Sequence, residues 1–306
     1  MRKKFDLATA ILTVETPEVE QLTFGELLHG WCAHHKDAND TLRLRKWVAT
    51  FGEKSAWDIT SAELATAAHA MKESGQYKAS SINRDVASIG SAYKWAIERR
   101  AAPIGFASPT LAVKRYNESE SIRRIFIDPE KLQKLRSLSL IYRDRRFGMF
   151  VHLLIDTGAR KGELYERTWA DLDLDKREIL LHDSKTGKPR ILHFGPETAR
   201  FIARICPVRK PELLMFPGRV PSEPIDYRAS WTKLTREAGL DGLHMHDVRH
   251  DKARRLLVEG TPLALAASVM GHGVQMLERR YGHLDVTDIK RVVEKTWGAA
   301  ALKAAA

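Results

Sequence analysis

Apolar residues at helical spacing dominate the first third of the chain and favour a bundle of helices. Four segments between residues 21 and 100 carry this pattern. The clearest places Leu44, Trp47, Val48 and Phe51 at positions i, i+3, i+4 and i+7. Such spacing lines one face of a helix, whereas a half-buried strand needs strict alternation. The sequence therefore predicts a small four-helix domain over residues 21–100.

A stretch without periodicity separates this domain from the rest of the chain. Residues 101–121 contain prolines, a glycine and a final polar run, a composition typical of an exposed linker. Residues 1–20, before the helical domain, carry little pattern and are assigned as an N-terminal segment. A second domain is predicted over residues 122–306.

The second domain mixes helices with a small amount of strand. An apolar helix is predicted over residues 145–157, ending at Gly158, because glycine suits the position after a helix. Residues 177–183 and 190–194 are predicted to be two strands of a hairpin, and further helices are expected near 196–205 and 227–238. The predicted fold class is therefore mainly α, with an α+β second domain that contains a small β-sheet or hairpin.

The charge balance favours a polyanionic partner. Lys and Arg number 50 against 39 acidic residues, giving a formal net charge of +11, and nucleic acid is the commonest partner of such a chain. The cysteines, Cys32 and Cys206, imply no disulfide framework, so a reducing compartment is compatible. No run approaches the ~20 apolar residues of a membrane span. We expect a cytoplasmic protein without a membrane partner.

Residues 244–284 gather polar side chains suited to phosphate chemistry. The stretch contains HMHDVRH, VMGHG and ERRYGHL, in which the recurring groups are those of His246, Arg249, His272 and Tyr281. A tyrosine hydroxyl has a free pKa of about 10, and it attacks poorly unless cations stabilise the charge that it creates. Arginine suits that task, because its planar fork matches two phosphate oxygens.

These residues resemble the closing boxes of the tyrosine recombinases, or phage integrases. Residues 246–250, 270–272 and 280–284 match those boxes, and residues 157–164 (TGARKGEL) resemble the family's first arginine box. The boxes occur in the family's order, over roughly residues 120–285. Each box alone is a weak signal, but the chance that all four match falsely is the product of their separate chances and is therefore small. In the first helical domain the resemblance is one of layout alone.

The resemblance implies DNA strand transfer without hydrolysis. Tyr281 is the expected nucleophile, and its attack leaves a 3′-phosphotyrosyl link and a free 5′-hydroxyl. Arg160 and Arg249 are expected to stabilise the phosphorane, and His272 is expected to donate a hydrogen bond to a non-bridging oxygen. A 5′-hydroxyl from a partner duplex then reverses the attack, so no cofactor, ATP or metal is expected.

The resemblance also implies proton-transfer roles for two further residues. Lys185 lies on the predicted hairpin, where the family places its catalytic lysine, and matches that position better than Lys188 because it precedes the Thr-Gly turn. It would act as general acid for the leaving 5′-oxygen, while His246 would accept or relay the tyrosine proton. Glu163, three residues after Arg160, is expected to orient Arg160 or a neighbouring cation, against the alternative of an ordinary acidic residue in the first turn of a helix.

Basic residues off the apolar stripes of the first domain are candidate phosphate contacts. Against the alternative of a solvated surface, we predict a DNA-binding groove formed by Arg43, Arg45, Lys46, Lys78, Arg84 and Lys94.

The sequence leaves several alternatives open. The histidines of the closing boxes could form a metal cluster, but their spacing matches no usual zinc site and no cysteine lies nearby. A DNA-binding protein of the same fold that has lost catalysis is one rival, and a relaxing topoisomerase with the same tyrosine chemistry is another. A metal-dependent nuclease ranks behind them. Asp251 departs from the family pattern, in which a small or hydroxylated residue is expected, and leaves the packing of its helix open.

The expected partner is double-stranded DNA carrying paired recombination sites. The resemblance implies a homotetramer on DNA and a monomer or weak oligomer when free, with an accessory directionality protein and a place at the bacterial nucleoid. The expected process is integration or excision of a mobile element. An amphipathic helix is predicted over residues 287–298, and its docking within the chain or onto a neighbouring subunit is left open.

Overall fold

The computed structural model describes residues 21–35, 38–118, 126–182 and 189–281. The chain divides into two compact units, residues 1–123 and 124–306. This division falls close to the predicted start of the second domain, and the finer domain boundaries stay predictions. Within the described part of the chain, no helix is both long enough and apolar enough to cross a membrane.

Within the described residues of the first unit there are four α-helices, as the apolar spacing predicts. They are α1 (Phe24–His35), α2 (Ala38–Phe51), α3 (Ser61–Glu73) and α4 (Ala79–Glu98). A capping box begins α3: the hydroxyl of Thr60 accepts the N–H of Glu63, whose carboxylate accepts the N–H of Thr60. The apolar faces meet in one core around Phe24, Trp47 and Tyr93, all fully buried.

The segment after α4 packs onto this core, so the prediction that it is exposed is wrong for part of it. The ring of Phe106 lies 5.2 Å from that of Trp57 and 5.6 Å from that of Tyr93. Further along, the side chain of Asn83 pairs with both the N–H and the C=O of Tyr116, at 2.9 Å each. Single aromatic residues in an irregular segment give no periodic pattern, and their partial burial therefore has no signal in the sequence.

The second unit contains eight α-helices within its described residues and a small sheet. The helices are α5 (Pro129–Leu140), α6 (Arg145–Thr157), α7 (Lys161–Tyr165), α8 (Pro196–Ile205), α9 (Arg228–Glu237), α10 (Met245–Val258), α11 (Leu263–Met270) and α12 (Val274–Tyr281). The strands are β1 (Leu172–Asp173), β2 (Glu178–Leu181) and β3 (Arg190–His193). The predicted fold class, mainly α with a small sheet in the second domain, is confirmed.

The sheet is antiparallel in the order β1-β2-β3. Ile179 pairs with Leu192 and Leu181 pairs with Arg190. Ile179, Leu181 and Leu192 are buried, whereas Leu180 is exposed, so one face of the hairpin covers the core. The two predicted strands are confirmed, and β1 was missed because two residues carry no pattern. The turn with Lys185 lies outside the described residues.

Helix α6 is the central element of the second core. Its faces pack against α5, α8 and α10, and its residues Phe147 and Phe150 join an aromatic cluster with Tyr227 at centroid distances of 4.9 and 5.4 Å. The helix ends at Gly158, as predicted, and this glycine adopts a left-handed conformation with φ 62°. The end of a buried helix is thereby set at the first arginine box.

Asp251 anchors the beginning of the second unit to α10. Its side chain is 2% exposed; Oδ1 accepts the N–H of Ile127 at 2.9 Å and Oδ2 accepts Nε of Arg255 at 2.6 Å. Arg255 in turn donates to the C=O of Ile127 at 2.6 Å. The departure from the family pattern thus has a structural role, because the carboxylate satisfies a buried backbone N–H and holds a cation.

We expect Asp251→Ala to destabilise the second unit by about 2–3 kcal/mol, because it leaves the N–H of Ile127 and Nε of Arg255 without their acceptor and removes the carboxylate that balances the Arg255 charge. Hydrogen exchange of the amides in residues 245–258 measures the loss where it arises. Asp241→Ala, at an exposed carboxylate, is the matched control. Equal protection in the two variants would contradict the anchoring role.

His152 on α6 should make the stability of the second unit depend on pH. Burial, followed by the charge of Arg136, lowers the pKa of His152 to about 4. In the unfolded chain this histidine takes up a proton near pH 6.5, whereas in the folded chain it stays neutral down to about pH 4. The unfolding free energy should therefore fall as pH drops from about 6.5 to 4, by about 1 kcal/mol per pH unit. In denaturant titrations His152→Gln should reduce this slope. His193→Gln, at an exposed position on β3, is the control, and an unchanged slope in His152→Gln would contradict the prediction.

Candidate active site

Arg249 is a fully buried cation held between the ends of two helices. It lies on α10 and is 0% exposed. Its Nη1 donates to the C=O of Gly158 at 2.8 Å, at the end of α6, and its Nη2 donates to the C=O of Met270, the last residue of α11. Carbonyl groups at helix C-termini carry partial negative charge, which stabilises a cation. Arg249 therefore joins three helices at one point.

The third hydrogen bond of Arg249 orients His272. Its Nε donates to Nε2 of His272 at 3.2 Å, so the imidazole accepts with Nε2 and carries its proton on Nδ1. Burial, followed by the charges of Arg249 and Arg160, lowers the pKa of His272 to about 3 and keeps the ring neutral. Nδ1 is buried and has no hydrogen-bond partner among the described residues. The neutral ring therefore keeps one N–H donor that no described residue uses.

Arg160 lies at the turn between α6 and α7 and is held by Glu163. Its Nη1 donates to Oε1 of Glu163 at 2.7 Å, and its backbone N–H donates to Oε2 of the same carboxylate at 2.7 Å. The side chain remains 29% exposed. Burial alone would raise the pKa of Glu163, but the N–H of Arg160 and the charges of Arg190 and Arg160 lower it below its ordinary value. The carboxylate stays ionised and orients a cation that solvent can reach.

The structure thus brings three of the six predicted catalytic side chains into one cluster. Arg249 belongs to it through its hydrogen bond to His272, and Arg160 belongs to it because its charge acts on the same imidazole. His246 precedes Arg249 by one helical turn, is exposed, and has its ring centroid 4.5 Å from that of His250. The cluster is a neutral hydrogen-bond donor beside two guanidinium groups, an arrangement that stabilises negative charge on oxygen.

The other two predicted catalytic groups are not part of the described side chains. Lys185 lies within residues 183–188, outside the described residues. The backbone of Tyr281 ends α12, and its side chain lies outside the description. Helix α12 begins two residues after His272, and its Leu277 is fully buried in a cluster with Met270. The catalytic roles of all six residues stay predictions.

Arg190 is a site residue that the sequence analysis missed. It begins β3, donates to Oε2 of Glu163 at 2.6 Å, and has a side chain only 12% exposed. Its cross-strand partner Leu181 and its neighbour Leu192 two residues on are buried on the core face of the hairpin. Residues at these positions share one face of a sheet, so an arginine at an inward position was the available signal.

The six candidate DNA contacts of the first unit fall into two groups. Arg43 and Lys46 approach the buried carboxylate of Asp85, at 3.3 Å from Nε and 2.5 Å from Nζ. The exposed members are Arg45, Lys78, Arg84 and Lys94. Asp85 also accepts the indole N–H of Trp47 at 3.1 Å. It was missed although it lies three residues after Ile82, on the apolar face of α4.

Metal-ligand geometry is absent from the described residues. Among them, no three His, Cys, Asp or Glu side chains are grouped to hold an ion. The groups whose charges act on His272 include the guanidinium groups of Arg249, Arg160 and Arg190, which act on anions through hydrogen bonds and Coulomb attraction.

Comparison with known proteins gives relatives along most of the chain. The tyrosine recombinase XerC of Lactobacillus leichmannii is 28% identical over 229 residues, covering 69% of this chain and 75% of that protein. The Tn1549 transposon integrase, solved in complex with a circular intermediate DNA, is similar with a TM-score of 0.66 at 18% identity, covering 90% of this chain and 99% of that chain. A lambda integrase tetramer bound to a Holliday junction gives a TM-score of 0.63 at 17% identity, covering 93% and 84%. At such identities the two structures show a shared fold.

The family itself is shown by a sequence match. Residues 125–287 match the phage integrase family, which is more than half of the chain. The match spans the first arginine box, the hairpin and the closing boxes, and it confirms the family that these boxes predict. The chain therefore belongs to the phage integrase family, the tyrosine recombinases.

Proposed function

We propose that this chain is a site-specific DNA recombinase that cuts and rejoins DNA through a 3′-phosphotyrosyl intermediate on Tyr281. One observation carries the proposal: a neutral imidazole with a donor on Nδ1 lies beside a buried guanidinium and within reach of the charge of a second one. Such a site favours a pentavalent phosphorane over the phosphodiester, because negative charge grows on the non-bridging oxygens during attack.

The two arginines act on the phosphate in different ways. Arg160 keeps 29% of its side chain exposed and is the cation that can reach a phosphate oxygen. Arg249 is fully buried and donates to two helix ends, so it acts through its charge and by orienting His272. His272 then donates from Nδ1 to a phosphate oxygen. Arg160 and Arg249 are held by hydrogen bonds before the charge develops, so their charges need no reorientation.

The proton and bond changes balance in each direction. The Tyr281 oxygen forms a bond to phosphorus as the bond to the 5′-oxygen breaks. His246 accepts or relays the phenol proton, and Lys185 gives a proton to the leaving 5′-oxygen. A 5′-hydroxyl from a partner duplex then attacks the phosphotyrosine and releases Tyr281. The ester keeps the bond energy, so the reaction requires no ATP.

The proposed partner is double-stranded DNA with paired recombination sites. The lambda integrase tetramer on a Holliday junction and the Tn1549 integrase on a circular intermediate DNA support a DNA-bound oligomer. We extend this to a homotetramer on DNA that is monomeric or weakly associated when free, and to integration or excision of a mobile element with an accessory directionality protein. The same proposal places the protein in the bacterial cytoplasm at the nucleoid, and it leaves residues 287–298 to dock within the chain or onto a neighbour.

Tyr281→Phe should abolish the covalent protein–DNA adduct and leave DNA affinity nearly unchanged, because it removes one oxygen and little volume. The substrate is a duplex selected by the wild type from a randomised library. Nicks at successive positions let the short fragment released by cleavage dissociate, so that religation fails and the adduct accumulates. Tyr142→Phe, at a tyrosine packed against Phe147, is the matched control. An adduct that survives in Tyr281→Phe contradicts the assignment of the nucleophile. A wild type that binds without forming an adduct supports the inactive DNA-binding rival.

Adduct formation should persist in excess EDTA, because Arg160 and Arg249 supply the charge that two metal ions supply elsewhere. A magnesium-dependent restriction endonuclease in the same buffer checks that chelation is complete. Loss of the adduct in EDTA with recovery on adding Mg²⁺ would favour the nuclease alternative. Relaxation of plasmids that lack the selected site would favour the topoisomerase.

A further inference from the structure

Arg190 connects three elements around the proposed catalytic cluster. From the start of β3, its Nη2 donates to Oε2 of Glu163 at 2.6 Å in the first turn of α7. Its Nη1 donates to the C=O of Val269 at 3.0 Å in the last turn of α11. A side chain 12% exposed with two directed hydrogen bonds is held in place. Strand β3 is thereby tied to the anchor of Arg160 and to the turn that carries His272.

Gly271 leaves the space that the Arg190 guanidinium occupies. A Cβ atom at Gly271 would lie 2.8 Å from Cζ and Nε of Arg190, closer than van der Waals contact allows. Gly271 also has a φ of 59°, a conformation that favours glycine. The turn between α11 and His272 therefore admits the guanidinium at close range because its residue has no side chain.

Glu163 is shared by two guanidinium groups. Oε1 accepts from Arg160, and Oε2 accepts from Arg190 and from the backbone N–H of Arg160. Two cations and one carboxylate leave this trio with a net charge of +1. Without Arg190 the remaining pair, Arg160 and Glu163, would be neutral, because the full negative charge of Glu163 would cancel the positive charge of Arg160. Charges act strongly at such distances when they are partly buried.

The geometry points to Arg190 as a positioning residue for DNA cleavage. It balances the charge of Glu163, so that Arg160 keeps its attraction for the scissile phosphate, and it holds the hairpin strand against the turn of His272. This inference rests on the proposed function, in which Arg160 touches the phosphate, and Arg190 acts through Glu163. Arg190 begins β3, so the same contact ties this strand of the hairpin to the site.

A charge-compensation experiment tests this inference. The rate of covalent adduct formation at saturating DNA is measured with the selected, nicked duplexes for Arg190→Gln, Glu163→Gln and the double variant. Arg190→Gln should be about 10- to 100-fold slower than wild type, a typical result of misplacing a catalytic group. Adding Glu163→Gln should recover at least about tenfold of that loss, because the remaining charge is again +1 and a tenfold rate change is about 1.4 kcal/mol.

Two controls separate this effect from a general loss of structure or charge. Arg200→Gln removes the same charge from an exposed position on α8 and should match the wild-type rate. Arg190→Lys keeps a cation opposite Glu163 but loses the planar fork, and it should stay within about tenfold of wild type. Thermal melting and DNA affinity are recorded for every variant, and we expect DNA affinity to change little.

The outcomes distinguish this inference from the proposed function. A wild type that forms no adduct contradicts the proposed function, and the inference falls with it. If the wild type forms the adduct at a normal rate, two results contradict the inference alone. One is an Arg190→Gln rate equal to that of Arg200→Gln, and the other is a double variant that is no faster than Arg190→Gln. If Arg190→Gln does not fold, Arg190→Lys decides: a rate within about tenfold of wild type supports the charge role, and a larger loss overturns it.

Discussion

The buried guanidinium of Arg249 is the interaction on which the site depends. Removing an isolated cation from water is costly unless polar groups replace its hydration. Here the carbonyl groups at the ends of α6 and α11 provide acceptors and negative dipole ends. These carbonyls belong to Gly158 and Met270, each two residues before a proposed catalytic residue, Arg160 or His272. A contact that stabilises the fold therefore also positions the site.

Helix α10 carries this arrangement on one side and anchors the start of the second unit on another. Arg249 faces the ends of α6 and α11, while Asp251 accepts the N–H of Ile127 and holds Arg255. Around the cluster, Glu163 and Arg190 add a further layer that connects α7, β3 and α11. Buried charges at both places are matched by hydrogen bonds from distant parts of the chain, so the position of each group depends on several elements at once.

Much of the fold follows from local patterns, and the failures have physical causes. The four helices of the first unit, the end of α6 at Gly158 and the two main strands were predicted, because spacing and end residues are local signals. The partial burial of Phe106 was not predicted, since a single aromatic residue in an irregular segment has no period. Arg190 was missed because its role depends on contacts with Glu163 and Val269, which lie 27 residues before it and 79 residues after it in the chain.

The sequence by itself determined the family and the set of chemical groups, because the boxes place arginine, histidine and tyrosine at recognisable spacing in order. Tertiary structure alone decided how each cation is used. Arg249 is enclosed by helix ends and Arg160 keeps contact with solvent, while Arg43 and Lys46 are drawn to the buried Asp85. The physical reason is that a charge acts according to its burial and its partners, and these partners come from residues far apart in the chain.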